Sequence, residues 1–152
     1  MKKVIRLTES DLVKLIKRVI NEGRTYTYDD AWEKAFKEKV YNPCNLYAGK
    51  IVIGLGNQGP LVAALQHELN RDRKEYPGNY TSKEDLVVDG IFGKKTKQMV
   101  IDLQKSAADT PDGIIGKNTF RSLNAQIWNS GGLYWNNQED FEERCPGLKY
   151  PF

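Results

Sequence analysis

An eight-residue motif that occurs twice constrains the fold of this chain more than any other feature. Asp-Gly-Ile-Phe-Gly-Lys-Lys-Thr spans residues 89–96, and Asp-Gly-Ile-Ile-Gly-Lys-Asn-Thr spans residues 112–119. An internal repeat of this kind indicates that the chain builds one local structure twice.

Each residue type in the motif suits a turn that leads into a helix. The aspartate can bond the backbone amides that follow it, and the first glycine can take a positive φ. We expect the apolar pair to enter a core, the second glycine to allow a tight helix start, and the threonine to fall in the first turn. We call these turns the Asp-Gly corners, and their predicted structural residues are Asp89, Gly90, Phe92, Gly93 and Thr96, then Asp112, Gly113, Ile115, Gly116 and Thr119.

Apolar residues recur at helical spacing around the corners. They predict helices at about 61–69, 94–106 and 117–127, with Pro60 suited to a first helical turn. Residues 70–87 are polar and predict a long loop. The fold class is therefore mainly α, with a domain at 51–127 and an aromatic-rich, irregular tail at 128–152.

Three ordered blocks resemble the peptidoglycan-binding-like domains found beside bacterial and phage cell-wall hydrolases. The blocks are Gly56-x-x-Gly59-Pro60-x-Val62-x-x-Leu65-Gln66-x-x-Leu69, then Val88-Asp89-Gly90-x-Phe92-Gly93-x-x-Thr96 with Val100 and Leu103-Gln104, then the second Asp-Gly motif. The resemblance covers about half the chain. It implies a compact three-helix fold and affinity for the glycan or stem peptide of the cell wall.

The resemblance does not by itself locate the ligand, because every residue of the repeated motif has a role in folding. Glycan faces are commonly held by aromatic stacking and a few polar groups. We therefore expect the ligand contacts to come from side chains beside the turns and on the long loop: Gln66, Tyr76, Tyr80, Asn118 and Arg121.

Residues 1–22 predict an amphipathic helix. Thr8 is a suitable N-cap, an apolar stripe runs from Leu12 to Ile20, and six Lys/Arg face three acids. A helix this short is marginal alone, so we expect it to dock on the body, on a protein partner or on a membrane surface. Alternatively, Ile20-Asn21-Glu22-Gly23 resembles the sites cut by prohead proteases of myovirus-type phages, which would make residues 1–22 a removable leader.

Residues 23–50 predict a helical linker segment. Thr27 precedes a helix whose apolar face carries Trp32, Ala35, Phe36 and Val40, and Pro43 closes it. Cys44 and Cys145 flank the domain, each beside a proline. In an oxidising compartment we expect them to form a disulfide, and in the cytosol to stay thiols.

A literal Gly-x-Gly-x-x-Gly at residues 54–59 follows the apolar run 51–53, as in dinucleotide-binding folds. Such a fold next needs a second strand that ends in an acid, but residues 70–78 are polar and contain Pro77. Nucleotide binding is therefore kept only as a remote alternative.

The remaining composition argues against other functions. His67 is the lone histidine, the acids at 139–143 share one polar stretch, and two cysteines are too few for a usual zinc site. We expect no enzyme activity, cofactor or metal. The net charge of +3 belongs to residues 1–22, which leaves the body neutral and speaks against nucleic-acid binding.

No stretch is apolar enough to span a membrane, and acids and lysines interrupt any signal-peptide core. We expect a non-catalytic module that holds a larger assembly at peptidoglycan, on a virion or outside the cytoplasm. The N-terminal helix would attach it to a protein partner. The alternative is a structural protein that keeps the fold without binding glycan.

Overall fold

The computed structural model describes residues 26–128 and 138–149. These residues form a mainly helical structure without strands, as predicted. The elements are α1 (Tyr28–Lys37), α2 (Pro43–Ala48), α3 (Pro60–Glu75), a 3-10 turn (Pro77–Asn79), α4 (Lys94–Ser106), α5 (Lys117–Trp128) and α6 (Gln138–Arg144). The predicted helix within residues 1–22 and the cleavage-like sequence at 20–23 lie outside the described residues.

Helix α1 begins where its sequence signal places it but ends earlier than predicted, at Lys37. The Thr27 hydroxyl accepts a hydrogen bond from the Asp30 amide at 3.1 Å, which caps the first turn. Trp32 and Ala35 are fully buried, and α1 packs along α3. Val40, predicted on the same face, is 55% exposed because the helix stops at Lys37 before reaching it.

Segments outside 51–127 complete the core. Leu46 and Tyr47 of α2 are buried, and the Tyr47 ring lies 4.8 Å from that of Phe141 on α6. A disulfide joins Cys44 to Cys145, as expected for an oxidising compartment. The segment interpreted as a linker is thus packed structure, and the tail expected to be irregular contains a helix. Helix α6 is too short for its apolar residues to show a helical period in the sequence.

Residues 51–58 run between the two Asp-Gly corners and tie them together. Ile53 exchanges backbone hydrogen bonds with Ile115 at 2.9 and 2.7 Å. Further along, the Gly56 amide donates to the Phe92 carbonyl at 3.0 Å. Within the apolar run 51–53, Ile53 makes an isolated β-bridge to Ile115 of the second corner, and Gln58 further along makes one to Ile91 of the first. No nucleotide-binding sheet exists in the described residues.

The long loop after α3 is held by side chains of the flanking helices. Asn70 both donates to and accepts from the backbone of Leu86, at 2.9 and 2.6 Å. The Asp102 carboxylate of α4 accepts from the amide and hydroxyl of Thr81, at 3.0 and 2.9 Å. The Asn70 bonds fix the end of the loop at Leu86, beside the first corner, and the Asp102 bonds fix its earlier part at Thr81.

Candidate functional site

The first Asp-Gly corner is organised around the side-chain amide of Gln66, which extends from α3. Its Nε2 donates to the Ile91 carbonyl at 3.0 Å and lies 3.2 Å from both Asp89 Oδ1 and Thr96 Oγ1. Its Oε1 accepts from the Gly90 amide at 2.9 Å. One buried glutamine therefore supplies hydrogen-bond partners both to the Asp-Gly corner and to the first turn of α4.

The second corner repeats this arrangement atom for atom around Gln104 of α4. Nε2 donates to the Ile114 carbonyl at 2.9 Å and lies 3.0 Å from Asp112 Oδ1 and 3.1 Å from Thr119 Oγ1. Oε1 accepts from the Gly113 amide at 2.9 Å. The repeated unit is thus longer than the eight-residue motif and includes the glutamine of the preceding helix.

The two units differ in the distance along the chain between glutamine and aspartate. Gln66 precedes Asp89 by 23 residues, whereas Gln104 precedes Asp112 by 8. The difference is an insertion into the first unit, made up of the longer C-terminal end of α3 and the long loop that follows it. The sequence signal that could have revealed the equivalence is the shared Leu-Gln pair at 65–66 and 103–104.

The first glycine of each corner has the positive φ that the motif predicts, 76° at Gly90 and 75° at Gly113. A Cβ at Gly90 would lie 3.0 Å from the Gly59 carbonyl oxygen, which is backbone and cannot easily move. At Gly113 the close neighbour is the flexible side chain of Lys97. Glycine is therefore required by conformation at both corners, and by space most strictly at Gly90.

Only one member of each apolar pair enters the core, which corrects the expectation that both would. Phe92 and Ile115 are buried, while Ile91 and Ile114 are 43% and 42% exposed. The backbone is extended here, so successive side chains point to opposite sides. Each corner therefore presents an isoleucine to solvent.

A cleft lies beside each corner, at equivalent positions. The first cleft has a volume of about 400 Å³, and the residues that line it include Leu86, Val87, Asp89, Ile91, Lys94 and Lys95. The second cleft has a volume of about 270 Å³, and the residues that line it include Val52, Asp109, Asp112, Ile114, Lys117 and Asn118. Eight of these twelve residues belong to the repeated motif, but sequence reasoning assigned a ligand contact only to Asn118 among them.

The structure distributes the five predicted ligand residues over different surroundings. Gln66 lines the first cleft but is 1% exposed, and both ends of its amide bond the first corner. Tyr80 is buried, with its hydroxyl on the Asp72 carboxylate. Asn118 is exposed and lines the second cleft. Arg121 lies over the Tyr47 ring, 4.8 Å from its centre, and Tyr76 is the C-cap of α3. Neither Arg121 nor Tyr76 lines either of these two clefts.

A buried carboxylate stands apart from both clefts, where α1 meets α3. Glu68 accepts from the Trp32 indole at 3.3 Å, and Arg71 lies 3.5 Å from its other oxygen. Burial raises the pKa of Glu68 to about 7, although hydrogen bonds from Tyr28 and the Arg71 charge act in the opposite direction. This group bears on stability because it is enclosed and has no access to a substrate.

His67 contacts two neighbouring tyrosines, Tyr26 and Tyr28. The Nε2 atom of His67 lies 2.6 Å from the Tyr26 carbonyl oxygen, and its ring meets Tyr28 edge-on. Residues 26–128 and 138–149 hold no group of three or more His, Cys, Asp or Glu placed to bind a metal ion. Within those ranges, no helix combines the length and hydropathy needed to cross a membrane.

Residues 58–123 match a protein-family model described as "Putative peptidoglycan binding domain". The matched range contains both Asp-Gly corners and both glutamines. The resemblance drawn from the three sequence blocks is therefore confirmed over these residues. A comparison with curated proteins and a comparison with solved structures found no match.

Proposed function

We propose that this protein is a non-catalytic module that binds peptidoglycan through the face carrying the two clefts. The observation that carries the proposal is that the family match at 58–123 contains both corners that form the clefts. The face offers exposed isoleucines beside polar and charged groups, which is the mixture that small-ligand sites use.

The module would hold a larger assembly, such as a phage virion or a cell-envelope complex, at the cell wall. In this proposal the amphipathic helix expected within residues 1–22 attaches the module to a protein partner. The disulfide between Cys44 and Cys145 supports a place outside the cytoplasm, since such bonds persist in oxidising compartments.

Co-sedimentation with purified sacculi tests the proposal. We expect the full chain to pellet with sacculi at low salt. A double Ile91→Ser/Ile114→Ser variant should remain in the supernatant, because both side chains are exposed and line the clefts. Val40→Ser is the matched control: it also removes an exposed apolar side chain, but at a position that lines neither cleft.

The competing function is a structural protein that has kept the fold without the ligand. Wild-type protein that stays in the supernatant would favour that role. The same incubation tests catalysis, since release of soluble fragments from the sacculi would contradict a binding-only module. Thermal stabilisation by NAD or ATP would revive nucleotide binding, and we expect none.

A further inference from the structure

The two clefts share a scaffold but differ in charge. Lys94 and Lys117 occupy the same place relative to their corners, as do Ile91 and Ile114. The next position differs, with Lys95 in the first cleft and Asn118 in the second. Of the motif residues that line the clefts, the side chain thus changes only from Lys95 to Asn118, and the rest are the same in both corners.

Acidic residues increase this difference. The first cleft sets two lysines against one aspartate, a net charge of +1. The second cleft sets one lysine against Asp109 and Asp112, a net charge of −1. At separations within a Debye length, about 8 Å at physiological salt, the two clefts therefore favour ligand groups of opposite charge.

The lysines of the first cleft are not explained by the fold. They are the first two residues of α4, whose first turn contains no acid, and cations near a helix N-terminus oppose the helix dipole. Neither Lys94 nor Lys95 forms an ion pair with another described residue. Asp85 on the neighbouring loop is already paired with Arg73 and Lys74.

We infer that the first cleft is the subsite for a carboxylate of the peptidoglycan stem peptide, an inference that rests on the proposed function. The two ammonium groups take the carboxylate, and Leu86, Val87 and Ile91 receive the methyl groups of adjacent alanine residues. The second cleft, with its negative charge and the Asn118 amide, does not share this role.

Calorimetric titration of the full chain with synthetic L-Ala-γ-D-Glu-L-Lys-D-Ala tests the inference. We expect the tetrapeptide to bind and its doubly amidated form to bind much more weakly. Lys95→Asn, which copies the second cleft into the first, should weaken tetrapeptide binding roughly threefold, and Lys94→Asn/Lys95→Asn roughly tenfold. Raising the salt concentration should reduce the wild-type affinity and have little effect on the double variant.

Lys105→Asn is the matched control, because it also removes an exposed lysine from α4, but at a position that lines neither cleft, and it should leave tetrapeptide affinity unchanged. Equal affinity for the amidated peptide, or full affinity in the double lysine variant, would overturn the inference. Wild-type protein that pellets with sacculi but ignores the tetrapeptide would overturn the inference and leave the proposed function standing. Failure to pellet with sacculi would overturn both.

Discussion

Gln66 and Gln104 make the same four hydrogen bonds in two different places. Each places its Nε2 within 3.0 Å of an isoleucine carbonyl and its Oε1 2.9 Å from a glycine amide. Both side chains are 1% exposed. The corner is therefore not a self-sufficient turn: it depends on a buried amide supplied by the preceding helix.

Replacing either glutamine by leucine should destabilise the protein. Gln104→Leu keeps much of the volume but leaves the Gly113 amide and the Ile114 carbonyl without partners, and each buried unsatisfied group costs about 1–3 kcal/mol. We expect a loss of about 2–4 kcal/mol in urea unfolding, and a similar loss for Gln66→Leu. Gln58→Ala, at an exposed position, should change stability by less than about 0.5 kcal/mol. A loss of less than about 0.5 kcal/mol in the leucine variants would contradict the role given to the buried amides.

The stability of the protein should fall as pH rises from about 4.5 to about 7 because of Glu68. Its folded pKa of about 7 exceeds the ordinary 4.5, so the folded state holds a proton that the unfolded state releases. The contribution is complete below about pH 4.5 and is lost between there and pH 7, a change of roughly 3 kcal/mol.

Unfolding measured from pH 4.5 to 8 in wild type and in Glu68→Gln isolates this group. The difference in unfolding free energy between the two proteins should change steadily over that range and level off above pH 7. Burial also raises the pKa of Asp72, so the variant should keep some dependence of the same sign at the acidic end. Glu84→Gln, at an exposed position, should follow wild type. If the unfolding free energies of wild type and Glu68→Gln change in parallel with pH, Glu68 does not hold a proton in the folded state over this range.

Reduction of the disulfide should lower the melting temperature substantially. The bond joins residues 101 apart, and closing a loop of that length stabilises the folded state by about 4–5 kcal/mol through the entropy of the unfolded chain. Thermal melts with and without a phosphine reductant measure the effect. Cys44→Ala/Cys145→Ala should melt at the reduced temperature and ignore the reductant. A wild-type melt that is unaffected by complete reduction would show that the bond does not constrain the unfolded chain as we describe.

A fragment of residues 51–127 should fold poorly, although the sequence pattern suggested that boundary. It lacks Trp32 and Tyr47, which pack against Phe120 of α5, and Phe141, which packs against Tyr47; all three side chains are fully or almost fully buried. Loss of three large aromatic contacts exceeds the stability of a typical small domain. Circular dichroism should show cooperative melting for residues 26–149 and little for 51–127. Equally cooperative melting of the short fragment would place the domain boundary back at residue 51.

The sequence was most informative where a residue type has one dominant physical use. Glycine at a positive φ, threonine as an N-cap and proline in a first helical turn predicted both corners and the starts of α1 and α3. The exposure of Ile91 and Ile114 was missed because an apolar side chain has the same identity whether it faces the core or a ligand. Only the alternation of side chains along the extended backbone shows that Ile91 and Ile114 are exposed whereas Phe92 and Ile115 are buried.

Long-range partners were the other gap. The inserted loop hides the equivalence of Gln66 and Gln104, because it changes their spacing to the aspartates. Tyr80 suggested an exposed ligand contact, yet the Asp72 carboxylate holds it in the interior. Such pairings depend on how helices pack, which local periodicity does not report.

Amide chemical-shift mapping tests the central claim most directly. Isotope-labelled protein would be titrated with soluble peptidoglycan fragments that retain both sugar and stem peptide. We predict that the largest shifts fall at Ile91, Lys95, Ile114 and Asn118, on the two clefts. Shifts confined to α1 and α6, or no shifts at saturating fragment, would contradict a peptidoglycan-binding face built on the two Asp-Gly corners.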